Sequence, residues 1–436
     1  MKARPKLLIV ALVAFGLVFA FASTAAAAKY RHGSILVGYG APAGIASVGG
    51  AGPARVVRVP AEADSGAQLR RLRAEPDVRW AVRDYIAHTS SAPFVPDDPG
   101  LAHTPGGWAQ AQWNLTGQYG VDAEEAWGNL IADREAGGRG VTVAVLDTGV
   151  AYANRGPYRR APDFARRTFV QGYDFVSHNR YPNDRNGHGT FVAAEIAEQA
   201  NNGVGLVGLA YGVKIMPVRV LNRLGEGEAS EIAEGVYYAV RHGARVINMS
   251  LEFPPGVQAS DIPELAEAVR YAHRRGVFVV AAAGNEHVAT VDYPAHLPGV
   301  VAVGATTEHG CLAEYSNFGR GLTLVAPGGG GDMAVPDDSD CMPEGPLGRE
   351  LLQVTFFGSL RHFTYSHGME GTSMAAPEVS AAAAMVIASR VLGRHPSPAQ
   401  ITERLKQTAH KFGIPNEARY FGAGLLDAAA ATAPRA

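Results

Sequence analysis

The chain has 436 residues, enough for more than one domain, and 47% of them are hydrophobic whereas 18% are charged. The formal net charge of -2 argues against a surface that binds nucleic-acid phosphates, so we expect no nucleic-acid partner. The two cysteines, Cys311 and Cys341, form no CxxC pair, which argues against a zinc site built on thiolates.

The N-terminus has the pattern of an export signal. Basic residues within the first six positions precede an apolar stretch over 7–22, and the small residues of "STAAAAKY" follow. The stretch is shorter than the roughly 20 residues of a transmembrane helix. We therefore predict a secreted protein with a signal peptide over residues 1–28, and an uncleaved membrane anchor is the alternative. Under oxidising conditions Cys311 and Cys341 form a disulfide or stay two unrelated thiols.

Residues 29–90 have the pattern of a small α+β unit. Strand patterns occur in "SILVGYG" and "ARVVRVP", a helix pattern in "GAQLRRLRAE", and a closing strand in "VRWAVRDYIAH". The next stretch, "TSSAPFVPDDPG", is rich in Pro, Asp and Ser and is interpreted as a linker. We assign the large domain to residues 91–436.

The large domain alternates apolar strand runs with helices. The runs "VTVAVLD", "VKIMPVRVL", "RVINMSL", "GVFVVAAAG" and "GVVAVGA" lack a polar face, which is typical of strands buried on both sides. Helices are predicted over 230–242 and about 260–275. This alternation predicts an α/β fold with a mostly parallel, doubly wound sheet and helices on both faces. Active sites in such folds lie beyond the C-terminal ends of the strands.

Four polar residues stand at these strand ends and helix starts. Asp147 ends a strand in "AVLDTGV" and Asn285 follows one in "VVAAAGNE". His188 and Ser373 open apolar helices in "NGHGTFVAAEIAEQ" and "GTSMAAPEVS". Singly, each has a commoner role as a turn, loop or helix-cap residue. Together they supply the carboxylate, base, nucleophile and oxyanion donor that acyl transfer by a serine requires, and we expect them at one edge of the sheet.

In sequence and in order, these motifs resemble those of the subtilases, the subtilisin-like serine proteases. The resemblance covers roughly residues 97–430 and rests on "VLDTGV", "NGHGTFVA", "AAAGNE" and "GTSMAAP". It implies a serine endopeptidase with Asp147, His188 and Ser373 as the triad and Asn285 as an oxyanion donor. An inactive relative that binds peptides in the same cleft is the alternative. A nucleotide-binding enzyme is disfavoured because the glycine-rich phosphate loop is missing.

The resemblance also implies an N-terminal propeptide and a peptide-binding cleft. Residues 29–90 would assist folding and then inhibit the enzyme, with self-cleavage close to Ser90. The other expected partners are protein or peptide substrates, and the enzyme is expected to be a monomer. The substrate-binding residues that the resemblance implies are Gly225, Gly227, Ser250, Leu251, Glu252, Gly284 and Asp292.

One departure from the family's usual sequence indicates a substrate preference. The family's "TVGYP" is "TVDYP" here, which would put the Asp292 carboxylate in the primary specificity pocket. A carboxylate there predicts Arg or Lys just before the scissile bond. The expected self-cleavage region, "IAHTSSAP", contains neither residue, and a pairing of Asp292 with His296 is the alternative.

The segment "AEQANNGVGLVGLA" resembles the calcium loop of the family. It implies a structural Ca²⁺ with six oxygen ligands, which suit this hard cation. The alternative is an Asn-Asn-Gly turn that holds no ion. The implied ligands are the side chains of Gln112, Asp163 and Asn202 and the backbone carbonyls of Ala200, Val204 and Leu206.

Overall fold

The protein is described here from a computed structural model. The predicted signal peptide and the self-cleavage region near Ser90 lie outside the described residues. Within those residues, no helix combines the length and the apolar character that a membrane crossing requires. The described residues are 30–39, 54–58, 65–85, 93–336, 341, 343–365 and 369–434.

A small unit lies within the predicted propeptide. Three strands form an antiparallel sheet in the order β2-β1-β3, and one helix follows the second strand. The apolar side chains of Ile35, Val37, Leu69 and Ala81 form a separate small core between this sheet and the helix. The elements are β1 (Tyr30–Tyr39), β2 (Ala54–Arg58), α1 (Ser65–Arg73) and β3 (Val78–Tyr85).

Seven parallel strands form the central sheet of the large domain, and a two-stranded antiparallel sheet lies outside it. The spatial order of the central strands is β10-β9-β8-β7-β4-β6-β5. In chain order the strands are β4 (Thr142–Asp147), β5 (Tyr173–Asp174), β6 (Lys214–Arg219), β7 (Val246–Met249), β8 (Phe278–Ala282), β9 (Val300–Thr306), β10 (Leu324–Pro327), β11 (Val354–Thr355) and β12 (Thr364–Tyr365).

Helices connect consecutive strands from β5 to β8. Two short 3₁₀ turns, Ala136–Gly138 and Arg166–Thr168, flank the first two strands of the sheet. The helices are α2 (Trp108–Ala111), α3 (Trp113–Thr116), α4 (Ala123–Ala132), α5 (His188–Ala197), α6 (Ala229–Arg241), α7 (Pro263–Arg274), α8 (Thr372–Ser389), α9 (Pro398–Thr408), α10 (Glu417–Phe421) and α11 (Ala428–Thr432).

Two hydrophobic cores cover the two faces of the central sheet. Alternate residues of β4 point to opposite faces, so Val143 and Val145 join the core beneath α5 and α8, whereas Ala144 and Leu146 join the core beneath α6 and α7. Burial on both faces explains why these strands are almost entirely apolar. The predicted doubly wound α/β fold is thereby confirmed.

Residues 93–100, the described part of the predicted linker, pack against the large domain and do not form a separate linker. Asp98 is fully buried, and its carboxylate accepts a hydrogen bond from the backbone N–H of Asn202 at 2.9 Å. The Pro96 carbonyl accepts one from the indole N–H of Trp108, also at 2.9 Å. These contacts attach the segment to the large domain, although its composition is typical of a loop.

A disulfide joins Cys311 and Cys341, with an S–S distance of 2.07 Å. It closes a loop with a sequence separation of 30 residues. Cross-links of such loops restrict the unfolded chain and contribute on the order of 3 kcal/mol in the chain-entropy account. Of the two alternatives left open by the sequence, the structure has the disulfide.

Candidate active site

The four predicted catalytic residues lie at the edge where the parallel strands end. Asp147 is the last residue of β4, and Asn285 stands three residues beyond β8. His188 is the first residue of α5 and Ser373 the second of α8. His188 and Ser373 both line a cleft of about 540 Å³. Five predicted substrate residues line the same cleft: Gly225, Gly227, Ser250, Leu251 and Glu252.

His188 and Asp147 form a hydrogen-bonded pair. His188 Nδ1 lies 2.8 Å from Asp147 Oδ1 and 3.0 Å from Oδ2, and the aspartate is fully buried. An ionised carboxylate can only accept, so Nδ1 carries the proton and Nε2 is left with its lone pair. Burial lowers the pKa of His188, but the Asp147 charge and hydrogen bond, with smaller effects of Asp184 and Glu252, raise it above its usual value.

The loop before His188 is organised by Asp184, which the sequence analysis did not single out. Its buried carboxylate accepts hydrogen bonds from the backbone of Asn186 and Gly187, the backbone and hydroxyl of Thr190, and the hydroxyl of Thr148. Burial raises the pKa of Asp184, and these bonds oppose the shift. Asp184 therefore fixes the start of α5, and with it the position of the imidazole.

Ser373 lies in the first turn of α8 and does not cap the helix. The N-cap position is Gly371, with no side-chain capping bond. The Ser373 hydroxyl lies 3.4 Å from the carbonyl oxygen of Ser250. Among the hydrogen bonds of the described residues, none joins Ser373 to His188, although both line the cleft. Such contacts are often long in free enzymes and shorten when substrate binds.

Thr372 fixes the orientation of the Asn285 side chain. The Thr372 backbone N–H and hydroxyl both donate to Asn285 Oδ1, at 2.9 Å and 3.1 Å. A backbone N–H is always a donor, so this bond identifies the oxygen of the amide. Asn285 Nδ2 lies on the other side, where it donates to the Glu252 carboxylate at 3.0 Å and 3.3 Å.

Asp292 and Gly284 lie near this site but do not line the cleft. Asp292 is 6% exposed and accepts a hydrogen bond from Asn317 Nδ2 at 2.7 Å. The same Asn317 nitrogen lies 2.8 Å from Glu286 Oε2. His296 Nδ1 instead pairs with the Val291 carbonyl, so the alternative partner proposed for the Asp292 carboxyl is engaged elsewhere.

Gly284 is placed where a side chain would not fit. Its φ is +111°, and a Cβ atom would approach Asn317 Nδ2 to 2.1 Å and Asp292 Oδ2 to 2.3 Å. Glycine tolerates both the backbone conformation and the close contact. Glycine at this position therefore allows the backbone between β8 and Asn285 to pack directly against the side chains of Asn317 and Asp292.

Three carboxyl groups share this region: Glu252, Glu286 and Asp292. Burial and the neighbouring Glu286 raise the pKa of Glu252 to about 7. Burial, a hydrogen bond that protonated Asp292 donates to Glu286, and the Glu286 charge raise the pKa of Asp292 to about 7 as well. Among the described residues, no Lys or Arg forms an ion pair with any of the three. The cluster is thus acidic and lacks an internal cation.

Comparisons with known proteins identify the family of the chain. The sequence profile described as "Subtilase family" matches residues 138–424. The chain belongs to the subtilase family. The nucleotide-binding alternative is therefore wrong, and the resemblance seen in the four motifs is confirmed.

The subtilase relatives include secreted and structurally characterised proteases. Subtilisin Savinase of Lederbergia lenta is 38% identical over 68% of this chain and 91% of that protein. The extracellular basic protease of Dichelobacter nodosus is 31% identical over 83% of this chain, which spans only 59% of the relative's length. A solved protease from Pseudoalteromonas arctica has a TM-score of 0.61 and 30% identity over 78% of this chain and 99% of that one.

The residues implied as calcium ligands lie on or contact the loop of residues 200–207 in this subtilase. Asp163 accepts hydrogen bonds from Asn202 Nδ2 at 2.8 Å and from the Leu206 backbone at 3.1 Å, so these three lie together. Gln112 forms a pair of hydrogen bonds with the backbone of Val207, at 2.8 Å and 2.9 Å. Ala200 and Val204 belong to the same loop as Asn202, and the Val204 N–H donates to Asn202 Oδ1.

Two carboxyl groups are buried within the core of the subtilase domain. Glu195 on α5 and Glu378 on α8 are 2% and 1% exposed. Glu378 accepts a 2.6 Å hydrogen bond from Asn114, whereas neither oxygen of Glu195 has a hydrogen-bond partner. Burial raises the pKa of both well above the usual value, and the Glu378 charge adds to the shift of Glu195. Both are therefore expected to be protonated in the folded chain over a wide pH range.

Glu378→Gln is expected to raise stability at alkaline pH. A pKa raised by folding gives stability that is complete below the unfolded-state pKa and is lost as pH rises through the folded-state pKa. Glutamine cannot ionise and avoids this loss. We expect the melting temperature of the variant to match the parent near pH 4.5 and to exceed it by several degrees at pH 9.

The comparison is best made by calorimetry in a Ser373→Ala background, which prevents self-digestion. Glu403→Gln, at an exposed position on α9, is the matched control and should show no such pH dependence. A variant that is less stable than its parent at pH 9 would contradict the account.

Proposed function

We propose that this subtilase is a secreted serine endopeptidase whose triad is Asp147, His188 and Ser373, and that it is made as a self-processing zymogen. The observation that carries the proposal is the His188–Asp147 hydrogen bond, at 2.8 Å, beside a cleft that Ser373 also lines. One chain supplies every proposed catalytic group, so the proposal includes a monomeric enzyme.

The first half of the reaction forms an acyl-enzyme. Ser373 Oγ attacks the scissile carbonyl carbon while His188 Nε2 takes the hydroxyl proton. Asp147 keeps Nδ1 protonated and stabilises the imidazolium. The carbonyl oxygen becomes an oxyanion, which accepts hydrogen bonds from Asn285 Nδ2 and from the Ser373 backbone N–H at the start of α8.

The second half returns the enzyme to its starting state. Acylation is complete once the imidazolium of His188 has protonated the leaving amine and the C–N bond has broken, and water then enters the cleft. His188 removes a proton from this water as the water oxygen attacks the ester carbon. The imidazolium then returns the proton to Ser373 Oγ as the ester C–O bond breaks and the carboxylic acid leaves. The same oxyanion donors act in both halves.

The two-step mechanism is tested by a burst experiment. An activated p-nitrophenyl ester should release about one equivalent of p-nitrophenol per active chain before the slower steady state. The amplitude should scale with enzyme concentration and vanish in Ser373→Ala. A processed chain that shows no burst and hydrolyses no peptide would instead support a peptide-binding relative without activity.

Residues 29–90 are proposed to act as the propeptide, with signal cleavage near Ala28 and self-cleavage close to Ser90. Support comes from the separate core of β1, α1 and β3, and from the name of the extracellular Dichelobacter relative. Mass spectrometry of the secreted product should find a mature N-terminus within a few residues of Ser90. A product that retains residues 29–90 covalently in its active form would contradict this part.

A basic side chain before the scissile bond is the proposed substrate preference. It is supported by the three carboxyl groups of Glu252, Glu286 and Asp292, which have no Lys or Arg partner among the described residues. Peptides that end in Arg and in Phe can be compared in the parent and in Asp292→Gly. Equal rates in the parent, or unchanged selectivity in the variant, would overturn the preference.

A structural Ca²⁺ is proposed in the loop around Asn202. The donor set is made of oxygens, which suit calcium, and the buried Glu198 carboxylate beside it has no hydrogen-bond partner. Among the described residues no three acidic, His or Cys side chains form a metal cluster, so the site would depend on amide and carbonyl oxygens as well. The proposed ligands are Gln112, Asp163, Ala200, Asn202, Val204 and Leu206.

Chelation is expected to lower the melting temperature of the enzyme. When free Ca²⁺ is 100 times the Kd, binding contributes about 2.7 kcal/mol to folding, and a chelator removes it. Differential scanning calorimetry of the Ser373→Ala variant with and without EGTA gives the shift. Asn202→Ala should melt at the lower temperature in both buffers. A parent melting temperature that does not change with EGTA would contradict the proposed site.

A further inference from the structure

The Asn285 amide is occupied in the free enzyme by a side chain of the cleft itself. Asn285 Nδ2 donates to Glu252 Oε2 at 3.0 Å and lies 3.3 Å from Oε1. Asn285 Oδ1 is held by Thr372, so the amide cannot rotate by half a turn without losing both of those bonds. Its NH₂ group, which carries two N–H donors, is therefore directed at the two carboxylate oxygens of Glu252 in this state.

Asn285 Nδ2 is also the group that the proposed mechanism directs at the oxyanion. Glu252 and the oxyanion are both anionic acceptors, and they compete for this donor. An oxyanion hole contributes most when its donors are free and already oriented before the reaction. A carboxylate bound to Asn285 therefore opposes catalysis for as long as it stays there.

A positive charge would remove Glu252 from Asn285. The carboxyl groups of Glu286 and Asp292 lie around Glu252, and each affects its neighbours electrostatically. Glu286 and Asp292 have Asn317 as a shared donor, whereas the donor of Glu252 is Asn285. A charge-assisted bond to guanidinium or ammonium is stronger than one to a neutral amide, so a cation in the cleft favours exchange of partners.

We propose that Glu252 holds the Asn285 amide until a cationic substrate side chain binds Glu252 in its place, so that a basic residue before the scissile bond frees the oxyanion donor. Glu252 is then a specificity-determining residue that acts on turnover as well as on binding. This inference rests on the proposed function of the site and on its preference for basic residues.

A simple acidic subsite, without exchange at Glu252, would give different kinetics. Such a subsite would attract Arg or Lys and lower KM, and removal of its charge would leave the turnover of uncharged substrates unchanged. In the proposed exchange, uncharged substrates react slowly because they cannot displace Glu252. Removal of the Glu252 carboxylate should therefore accelerate them.

The test uses the expressed full-length chain in the form to which it processes itself. Two peptide p-nitroanilides that differ only in Arg or Phe before the scissile bond are compared. In Glu252→Ala we expect kcat for the Phe peptide to rise about 10-fold, because one oxyanion donor contributes about 10²–10³ in turnover and only part of it is blocked. We expect kcat/KM for the Arg peptide to fall, so that the preference for Arg decreases about 100-fold.

Two control variants separate charge from contact. Glu228→Gln removes one negative charge from an exposed position outside the cleft lining and should leave kcat for both peptides within about twofold of the parent. Glu252→Gln keeps an acceptor oxygen for Asn285 but loses the attraction for a cation. It should lower the turnover of the Arg peptide toward that of the Phe peptide, with no gain for the latter.

A second measurement needs no variant. A small ester with Ala before the scissile bond leaves room for a free cation in the cleft. n-Butylguanidinium should raise kcat for this ester several-fold, whereas n-butylurea, which has nearly the same shape and no charge, should not. Inhibition or no change with both compounds would overturn the proposal.

Failure of the inference and failure of the proposed function give different results. If the parent shows the ester burst but Glu252→Ala leaves kcat for the Phe peptide unchanged, the site is a serine protease and the exchange at Glu252 is wrong. If the processed parent shows no burst and cleaves neither peptide, both are wrong.

Discussion

Ser373→Ala is expected to reduce peptide turnover by about 10⁶-fold. That magnitude is the one measured for loss of the nucleophile in subtilisin itself, a member of the same family. The physical reason is that alanine leaves no oxygen to form the acyl-enzyme, so only cleft binding and the oxyanion donors remain. Cleavage of a p-nitroanilide peptide measures the loss.

Processing of the chain provides a second readout for this variant, and a serine on the same helix provides the control. Because the proposed self-cleavage near Ser90 would need the same nucleophile, the protein should accumulate at the length of the proposed zymogen. Ser389 is the last residue of the same helix, and its hydroxyl bonds only to backbone atoms of Val386 and Val391. The Ser389→Ala protein should therefore process itself and cleave peptides normally. A residual activity in Ser373→Ala above about 1% of the parent would contradict the triad.

Asp147→Asn is expected to reduce turnover by about 10⁴-fold. The Thr148 N–H donates to Asp147 Oδ1 at 2.7 Å, and His188 Nδ1 lies 3.0 Å from Oδ2. In the variant the amide oxygen would stay with Thr148, 2.8 Å from Nδ1. The NH₂ group would take the Oδ2 position, 3.0 Å from Nδ1, where it offers a donor in place of an acceptor and so favours an unprotonated Nδ1. His188 would then carry its proton on Nε2, where it cannot accept one from Ser373. Steady-state kinetics at pH 8 measure the loss.

The pH profile of Asp147→Asn provides a second readout. In the parent, kcat/KM should rise with pH through the raised pKa of His188, because only neutral imidazole is a base. The Asp147 charge raises that pKa, so its removal should move the acid limb to lower pH. A loss of less than about tenfold, with an unchanged limb, would show that Asp147 does not orient the base.

The exchange proposed at Glu252 also bears on maturation. The proposed self-cleavage region "IAHTSSAP" has no Arg or Lys to displace Glu252. Its cleavage should therefore be slow relative to the turnover of peptides with Arg, and Glu252→Ala should process faster than the parent. A time course on denaturing gels after refolding would measure the rate of processing in the parent and in Glu252→Ala.

Much of the fold was predictable because its signals are local. Apolar runs without a polar face marked β4, β6, β7, β8 and β9, and Gly276 marked the end of one helix. Helix α7 was predicted over about 260–275 and spans Pro263–Arg274, since Pro263 is favoured at the first turn and Gly276 ends the helix with φ of +76°. Strand order was not predictable, because it depends on contacts between distant segments.

The proposed catalytic residues could be located in the sequence for a related reason. Each one stands at a strand end or helix start, which the sequence marks, and a parallel sheet brings such ends together. The side-chain contacts around these residues are not marked by any local sequence pattern. Glu252 and Asn285 are 33 positions apart, and nothing near either one indicates that they meet.

Two further features were missed for different reasons. Asp98 stands in a segment with the composition of a loop, and only the fold shows that its buried carboxylate binds the amides of residues 201–203. Glu195 did have a signal, since it is an acidic residue in an otherwise apolar helix. Its burial without a hydrogen-bond partner depends on the packing of α5 against α8, which no local pattern reveals.

The most direct test of the central claim is the position of a covalent label. The mature protein is treated with a fluorophosphonate, digested with a second protease and mapped by tandem mass spectrometry. A single adduct on Ser373, abolished in Ser373→Ala and strongly reduced in Asp147→Asn, is the predicted result. A processed protein with no adduct, or with its adduct on another residue, would contradict the assignment of Ser373 as the nucleophile.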